Sequence, residues 1–410
     1  MRNILLLLNF YPPNADPNSI CCSHVAEELA RQDYHVLVAA HEQPDRAKLE
    51  VINGIEVFRV HQSWPAKKRN RAINGFLTYC KWLWPCYRYP FTTDRKKVAS
   101  MVDCAEKLIR EKSIDTLICV SFPTESLIAG ALLKKKFPNL RCYGYLLDSF
   151  SAGFCPRFLP RRLVRRRKQR WEARLLEPMD GVLLMESGRD YYEKNSRRMP
   201  GYGKACYCDI PAMVPPARQP RTAKDPQTVT ICFTGTMLAH VRTPDYFLEL
   251  LKRIKDLQIK AVFAGSTNCI PDLSAFPEDG NISVHMLGQV SHDAVSGLLS
   301  EASVLLNLGN KNASLTPSKI FEYMSYGKPI ISTFCVDNDT SAAYLRRYSC
   351  ALLLDERDAD LDGAAERLRQ FIFDNRKTLI PYGETEQRFY GNTPAAAVET
   401  LKKLEEKAGK

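Results

Sequence analysis

Short apolar, β-branched runs alternate with helical stretches along the whole chain, and this alternation most narrows the folds available to it. Ile4 to Leu8 reads as a buried strand and Asn9 to Ser19 as a loop with three prolines. A helix from Ile20 to Gln32 follows, and then a strand from Val36 to Ala40. This β-loop-α-β order builds a parallel, right-handed unit. Thr116–Val120, Cys142–Leu147 and Val182–Met185 add strands to the first half. A second series starts at Thr228 with VTICFTG, a helix at Pro244–Lys255 and a strand at Ala261–Ala264. It continues with strand Ile282–Met286, helix His292–Glu301 and strand Val304–Leu308. Two such series in 410 residues predict two Rossmann-like α/β domains. Ile210 to Asp225 has four prolines and little periodicity, which reads as a linker. The predicted division is 1–208, a linker at 209–227, a second domain at 228–385 and a helical, polar 386–410 interrupted by Gly391 and Pro394.

The stretch Ala313–Thr333, ASLTPSKIFEYMSYGKPIIST, carries the densest local information. Thr316 suits an N-cap and Pro317 the first helical position. Ile320, Phe321, Tyr323 and Met324 give the helix an apolar side. Gly327 ends it, Pro329 prevents its continuation, and Ile330 and Ile331 begin a buried strand. A helix start with free N–H groups, the Ser318 hydroxyl and the Lys319 ammonium suits phosphate. Glu322, three residues beyond Lys319, lies on the same side and suits ribose hydroxyls. Lys319 and Glu322 equally fit a solvated helix start.

PSKIFEYMSYGKPII resembles the donor-binding segment of family 4 glycosyltransferases, retaining enzymes of the GT-B fold. The resemblance rests on Pro317, Ser318, Lys319, Phe321, Glu322, Tyr323, Gly327, Lys328 and Pro329. It implies two Rossmann-like domains facing each other across a cleft, with a C-terminal helix crossing back onto the first. It also implies that Glu322 grips the ribose of a nucleotide sugar. Many members carry a further Glu eight residues earlier, associated with the transferred sugar, where this chain has Ser314. GTMLAHVRTPDYF resembles the family's first loop of the nucleotide domain, which puts Gly235 and Thr236 near the donor and Arg242 on the diphosphate. Arginine suits that role because its planar fork donates to phosphate bidentately. Gly265 ends the next strand, and Gln289 in Gly288-Gln289-Val290 matches a turn beside the base. The first loop departs from the family's usual glycine pair with Asn14-Ala15-Asp16-Pro17-Asn18-Ser19, and Ser121-Phe122-Pro123 stands where members often carry His. There is no GxGxxG after the first strand. Asp148 follows a strand end, where ligands of open α/β sheets bind, and a turn Asp is the alternative. We group it with Glu322 as the catalytic candidates.

The formal net charge of +12 implies an anionic partner. Two segments concentrate it. Trp64–Lys97 interleaves aromatic rings, including Trp82 and Trp84, with nine Lys and Arg residues, as an interfacial segment on an anionic membrane does. An irregular insertion packing its rings on the domain is the other reading. Arg157–Arg174, RFLPRRLVRRRKQRWEAR, carries Arg161, Arg162, Arg165, Arg166, Arg167 and Lys168. It reads as an anionic-lipid site, with a nucleic-acid arm or a solvated helix as alternatives. The fourteen cysteines include no CxxC pair and read as reduced thiols of a cytosolic protein. The first apolar run is too short for a signal-peptide core, and no stretch approaches a spanning helix. The seven histidines show no metal-ligand spacing.

The sequence therefore leads to a retaining glycosyltransferase of the hexosyltransferase type, using a nucleotide-diphosphate sugar without a metal. Its acceptor is expected to be lipid-linked or saccharide, as in surface polysaccharide assembly. Its place is expected to be cytoplasmic, attached peripherally to the inner face of the membrane, with no nucleic-acid partner. A nucleotide-sugar epimerase of the same fold and a non-catalytic basic adaptor are the alternatives.

Overall fold

The computed structural model describes residues 2–13, 16–44, 46–61, 94–121, 123–151, 160–221, 227–269, 271, 273–277, 280–311 and 318–409. The chain divides into two compact units, Met1–Pro211 with Gly391–Lys410, and Ala212–Tyr390.

The first unit is built on an eight-stranded sheet. In chain order its elements are β1 (Asn3–Leu7), α1 (Pro17–Arg31), β2 (His35–His41), β3 (Leu49–Ile52), β4 (Ile55–Val60), α2 (Arg95–Glu111), β5 (Thr116–Ser121), α3 (Thr124–Lys136), β6 (Arg141–Leu146), α4 (Arg161–Leu176), β7 (Gly181–Met185), α5 (Arg189–Asn195) and β8 (Ala205–Cys208). The strand order is β3-β4-β2-β1-β5-β6-β7-β8, parallel throughout except for the β3–β4 hairpin. Both sheet faces are covered, which is why β1 reads as a continuous apolar run rather than an alternating one. Leu5, Leu7, Leu37 and Leu117 face the core that α2, α3 and α4 close. Ile4, Leu6, Val36 and Val38 face the other, closed by Val25 and Leu29 of α1 and by Ala397, Val398, Leu401 and Leu404 of the C-terminal helix (Pro394–Ala408). Asp16 caps α1 by accepting from Ser19 N at 2.9 Å, with Pro17 in the first turn, so the helix starts three residues before the predicted Ile20.

The second unit contains β9 (Thr228–Thr234), α6 (Asp245–Leu251), β10 (Gln258–Ala264), β11 (Ile282–Gly288), α7 (His292–Glu301), β12 (Val304–Asn307), α8 (Lys319–Ser325), β13 (Ile330–Phe334), α9 (Thr340–Leu345), β14 (Ala351–Asp355), α10 (Leu361–Asn375) and α11 (Tyr382–Arg388). Its six parallel strands run β11-β10-β9-β12-β13-β14. In this order the chain winds outward from β9 to β11, then returns to β12 on the other side of β9. The switch between β9 and β12 opens a crevice at their C-terminal ends, where open α/β sheets bind ligands.

Four local expectations need correction. Helix α8 begins at Lys319 with Ser318 as its cap residue, and the Ser318 side chain makes no capping bond; Thr316 and Pro317 lie outside the described residues. Helix α6 stops at Leu251 rather than Lys255, because a tight turn with Ile254 N donating to Leu251 O sends Ile254 into the core. Pro394 does not interrupt the C-terminal helix but opens it, with Thr393 Oγ1 accepting from Ala396 N at 3.2 Å. Finally, Ala212–Arg221 is held against the second unit rather than hanging between domains. Met213 is buried, Ser300 Oγ donates to Gln219 O, and the buried Lys328 ammonium donates to Arg221 O at 3.1 Å and to Ser300 O and Ala302 O.

Candidate functional site

The second unit's crevice is floored by main chain. Gly235, after β9, donates its N–H to Ala264 O at 2.8 Å, and Gly265, after β10, donates to Gly288 O at 2.7 Å. The three strand ends are thus stitched together. A Cβ at Gly265 would lie 1.9 Å from Gly235 O, and Gly265 has φ +141°, so only glycine fits there. Thr236, one residue past Gly235, is exposed. The loop then turns back through Leu238, whose carbonyl accepts from Arg242 N at 2.9 Å. Lys311, after β12, pins the same loop: its N–H donates to Val241 O at 2.8 Å and its ammonium to Ala239 O at 3.1 Å.

Arg242 is half-buried at this edge, and its Nε has no hydrogen-bond partner among the described residues. Desolvation lowers its pKa, only partly offset by Tyr323 and Asp339 nearby. A guanidinium held this way gains from an anionic ligand more than a fully hydrated one does.

Helix α8 brings the motif to the same edge. Ile320, Phe321, Tyr323 and Met324 are buried as the spacing predicted. The Tyr323 hydroxyl accepts from Thr234 N at 2.8 Å and donates to Thr234 O at 3.2 Å, tying α8 to the end of β9. Sequence reasoning took Tyr323 only as apolar filling, and nothing in its spacing reveals the polar tip. Gly327 closes the helix with φ +64°, and a Cβ there would meet Ile380 O at 1.9 Å. Lys319 and Glu322 do share a side: Nζ lies 2.6 Å from Oε2, with both side chains partly exposed. The carboxylate expected to hold ribose is taken by the neighbouring ammonium here. Ser318 is partly buried beside them, while Ser314 lies outside the described residues. Gln289 is exposed just beyond β11, an edge strand, two strands out from β9.

In the first unit the corresponding edge carries Asp148. It is exposed beyond β6 and accepts from Asn18 Nδ2 at 3.3 Å, which joins the β6 end to the start of α1. Two buried charges missed in the sequence hold the flanking loops. Glu172 of α4, fully buried, accepts from Ser151 N at 2.8 Å and from Ser149 Oγ, and burial raises its pKa. Arg59 of β4 pairs with Glu50 at 2.6 Å and donates to the carbonyls of Tyr11 and Pro12. The basic helix α4 exposes Arg161, Arg162, Arg165 and Arg166, and among the described residues none of them pairs with a carboxylate. Lys168 corrects the expected patch: it is buried, with its ammonium 5.0 Å from the centre of the Phe150 ring. Arg167 is only partly exposed. Trp82 and Trp84 lie outside the described residues. No described group of His, Cys, Asp and Glu is arranged to hold a metal, no described helix is long and apolar enough to cross a membrane, and the described cysteines are free thiols.

With this geometry in hand, comparison with known proteins is informative. Residues 228–372 match the family model described as glycosyl transferases group 1. No curated protein sequence matches the chain. Among solved structures, the chain is similar to sucrose-phosphate synthase from Thermosynechococcus elongatus, at 16% identity over 99% of this chain and 98% of that one, TM-score 0.60. It is similar to WaaG, a glycosyltransferase involved in lipopolysaccharide biosynthesis, at 14% identity over 99% and 100%, TM-score 0.56. It is also similar to an E. coli structure described as trehalose-6-phosphate bound with UDP-2-fluoro glucose, at 12% identity over 98% of each chain, TM-score 0.58. At these identities the likeness defines the fold. The protein has the GT-B fold of two Rossmann-like units, and the stretch that matches the group 1 glycosyl transferase model lies within its second unit.

Proposed function

We propose that this protein is a retaining glycosyltransferase, of the hexosyltransferase type, that takes a nucleotide-diphosphate sugar in its second unit. The observation that carries the reading is Arg242: a half-buried guanidinium whose Nε has no partner among the described residues, at the edge where Gly235 and Gly265 stitch the strand ends together. In this reading Arg242 and Lys319 neutralise the diphosphate as it leaves, which is the largest share of the catalysis. Glu322 exchanges its contact with Lys319 for the ribose hydroxyls, Thr236, Ser314 and Ser318 line the donor, and Gln289 faces the base. Asp148 faces the acceptor. The chain's own cations supply the charge, so no metal is required. The exposed arginines of α4 hold the enzyme on the inner, anionic face of a membrane, and the acceptor is a lipid-linked or membrane-borne saccharide of surface polysaccharide assembly.

A thermal-shift panel of nucleoside diphosphates, their sugars and the parent nucleosides tests this. A ligand at 100 times its Kd adds about 2.7 kcal/mol of stability. One diphosphate series is expected to stabilise the protein, and the parent nucleoside much less. Arg242→Ala and Lys319→Ala are each expected to weaken the diphosphate by roughly ten- to a hundredfold while affecting the nucleoside little, since a charge-assisted bond contributes about 1.5–3 kcal/mol. Equal loss for both ligands would remove the phosphate assignment. Product analysis with the stabilising sugar nucleotide and no acceptor would expose an epimerase by its inverted sugar.

A further inference from the structure

The second unit carries a shallow, strongly basic depression at the opposite end of β12 from the crevice. Ala302 precedes β12, Lys328 precedes β13, and Arg376, Lys377 and Leu379 follow α10. Every charged side chain in its lining is a cation: Arg221, Lys328, Arg376 and Lys377. The Lys328 ammonium is occupied by three main-chain carbonyls. The other three cations pair with no carboxylate among the described residues. Asp374, the acid beside them in the chain, accepts instead from Gln370 Nε2 at 2.8 Å. Glu301 acts on Lys328 through its charge but does not line the depression.

A helix end explains part of this. The C-terminus of α10 carries partial negative charge, and Arg376 as its cap residue suits that. Arg221 has no such reason to be here, since another part of the chain supplies it. Its main chain is fastened on both sides: its N–H donates to Ser300 O at 2.9 Å, and its carbonyl accepts from Lys328 Nζ at 3.1 Å. Its side chain is left exposed. Like charges gathered on a fixed frame repel, and an anion relieves them. A helix end does not explain the apolar rim either. Phe373 is 50% exposed and Leu379 43%. The Arg376 guanidinium lies 4.4 Å from the centre of the Phe373 ring, so cation and ring stand together at the surface.

A small anion would use the cations and leave Phe373 and Leu379 in water. A lipid surface uses both: its phosphates meet the cations, and the two apolar side chains enter the boundary between headgroups and acyl chains. We propose that this face of the second unit docks on an anionic membrane surface. The contact is distinct from the arginines of α4, which belong to the first unit. It depends neither on docking by α4 nor on the transferase reading.

Hydrogen exchange on the full-length protein reads this face directly. The background is the variant with Arg161, Arg162, Arg165 and Arg166 replaced by Gln, which removes the α4 patch. Vesicles of phosphatidylcholine mixed with phosphatidylglycerol are expected to slow exchange in 371–380. Vesicles of phosphatidylcholine alone, inorganic phosphate and an RNA oligonucleotide are expected to leave it unchanged. Adding Arg221→Gln, Arg376→Gln and Lys377→Gln to the background is expected to weaken partitioning onto the anionic vesicles by roughly ten- to a hundredfold. Phe373→Ala is expected to weaken it several-fold, with thermal melts confirming that each variant folds. The proposal is overturned if anionic vesicles leave 371–380 unprotected, or if neutral vesicles, phosphate or RNA protect it equally. It is also overturned if either set of replacements partitions as its parent does. Sedimentation unaffected by the four α4 replacements would sink docking through that helix and leave this result standing.

Discussion

Glu322 and Lys328 stand six residues apart and show two different uses of charge. Glu322 is partly exposed and bonded to a cation that a diphosphate would attract, so its carboxylate is available for exchange. Glu322→Gln is expected to abolish transfer and leave the melting temperature close to that of wild type; near-normal turnover by the variant would remove the ribose role. Lys328 is buried, and desolvation pulls its pKa down to about 8, against three carbonyls that favour the ammonium. Between pH 8 and 10.5 the unfolded chain then binds more protons at this lysine than the folded one, so its contribution to stability rises with pH. The wild-type unfolding free energy minus that of Lys328→Met is expected to grow by roughly 3 kcal/mol across this window. Urea titrations at several pH values read that difference, and a flat difference would show that the carbonyls hold the ammonium at its ordinary pKa. The Lys319–Glu322 contact was legible from three-residue spacing. Glu172 and Arg59 were not, because only the fold reveals that a carboxylate in an arginine run and an arginine in a strand point inward.

Helix α4 shows how an element can be read correctly as to type and wrongly in part as to face. Its arginine run forms a helix whose buried side includes Val164, Trp171, Leu175 and Leu176, while Leu163, which the spacing also puts on the apolar side, is exposed. Lys168 falls on that side too and leaves the exposed patch. The membrane test therefore narrows to Arg161, Arg162, Arg165 and Arg166. Replacing these four by Gln is expected to reduce sedimentation with anionic liposomes, at about 1 kcal/mol per residue near the surface, without altering nucleotide binding. Raising salt is expected to release the wild-type protein, because the attraction fades within about 8 Å at physiological ionic strength. Binding indifferent to salt and lipid charge would leave α4 a solvated helix. The β3–β4 hairpin was passed over although its signal was present: Asn53-Gly54 between apolar runs, with φ of +49° and +81°, fits a two-residue turn. Helix α8 was readable in register but not in start, since its boundary depends on residues before Lys319 rather than on its own apolar side.

At the scale of the molecule, the alternation of strands and helices was enough to predict two parallel sheets, and both are present. That the first unit is built from both ends of the chain follows from no local pattern and was implied only by the family resemblance. Leu404 of the C-terminal helix is buried against Gly181, where a Cβ would come within 2.7 Å of its Cδ1. Leu404→Ala is expected to destabilise the first unit by about 2–5 kcal/mol. All four tryptophans precede Arg174, so urea unfolding followed by tryptophan fluorescence reports on that unit, and an unchanged midpoint would show the helix to be dispensable. The same arrangement sets an order in time. As the chain leaves the ribosome, Leu183 and Met185 of β7 and Cys208 of β8 are made before the second unit, yet the C-terminal helix that packs on those strands is made after it. Roughly 180 residues of the second unit are synthesised in between, which at about 5–20 residues per second is a delay of roughly 10–40 seconds. For that interval this face of the first sheet is covered by α1 but open over β7 and β8, and a nascent chain in that state is expected to be a substrate for chaperones that bind apolar strands.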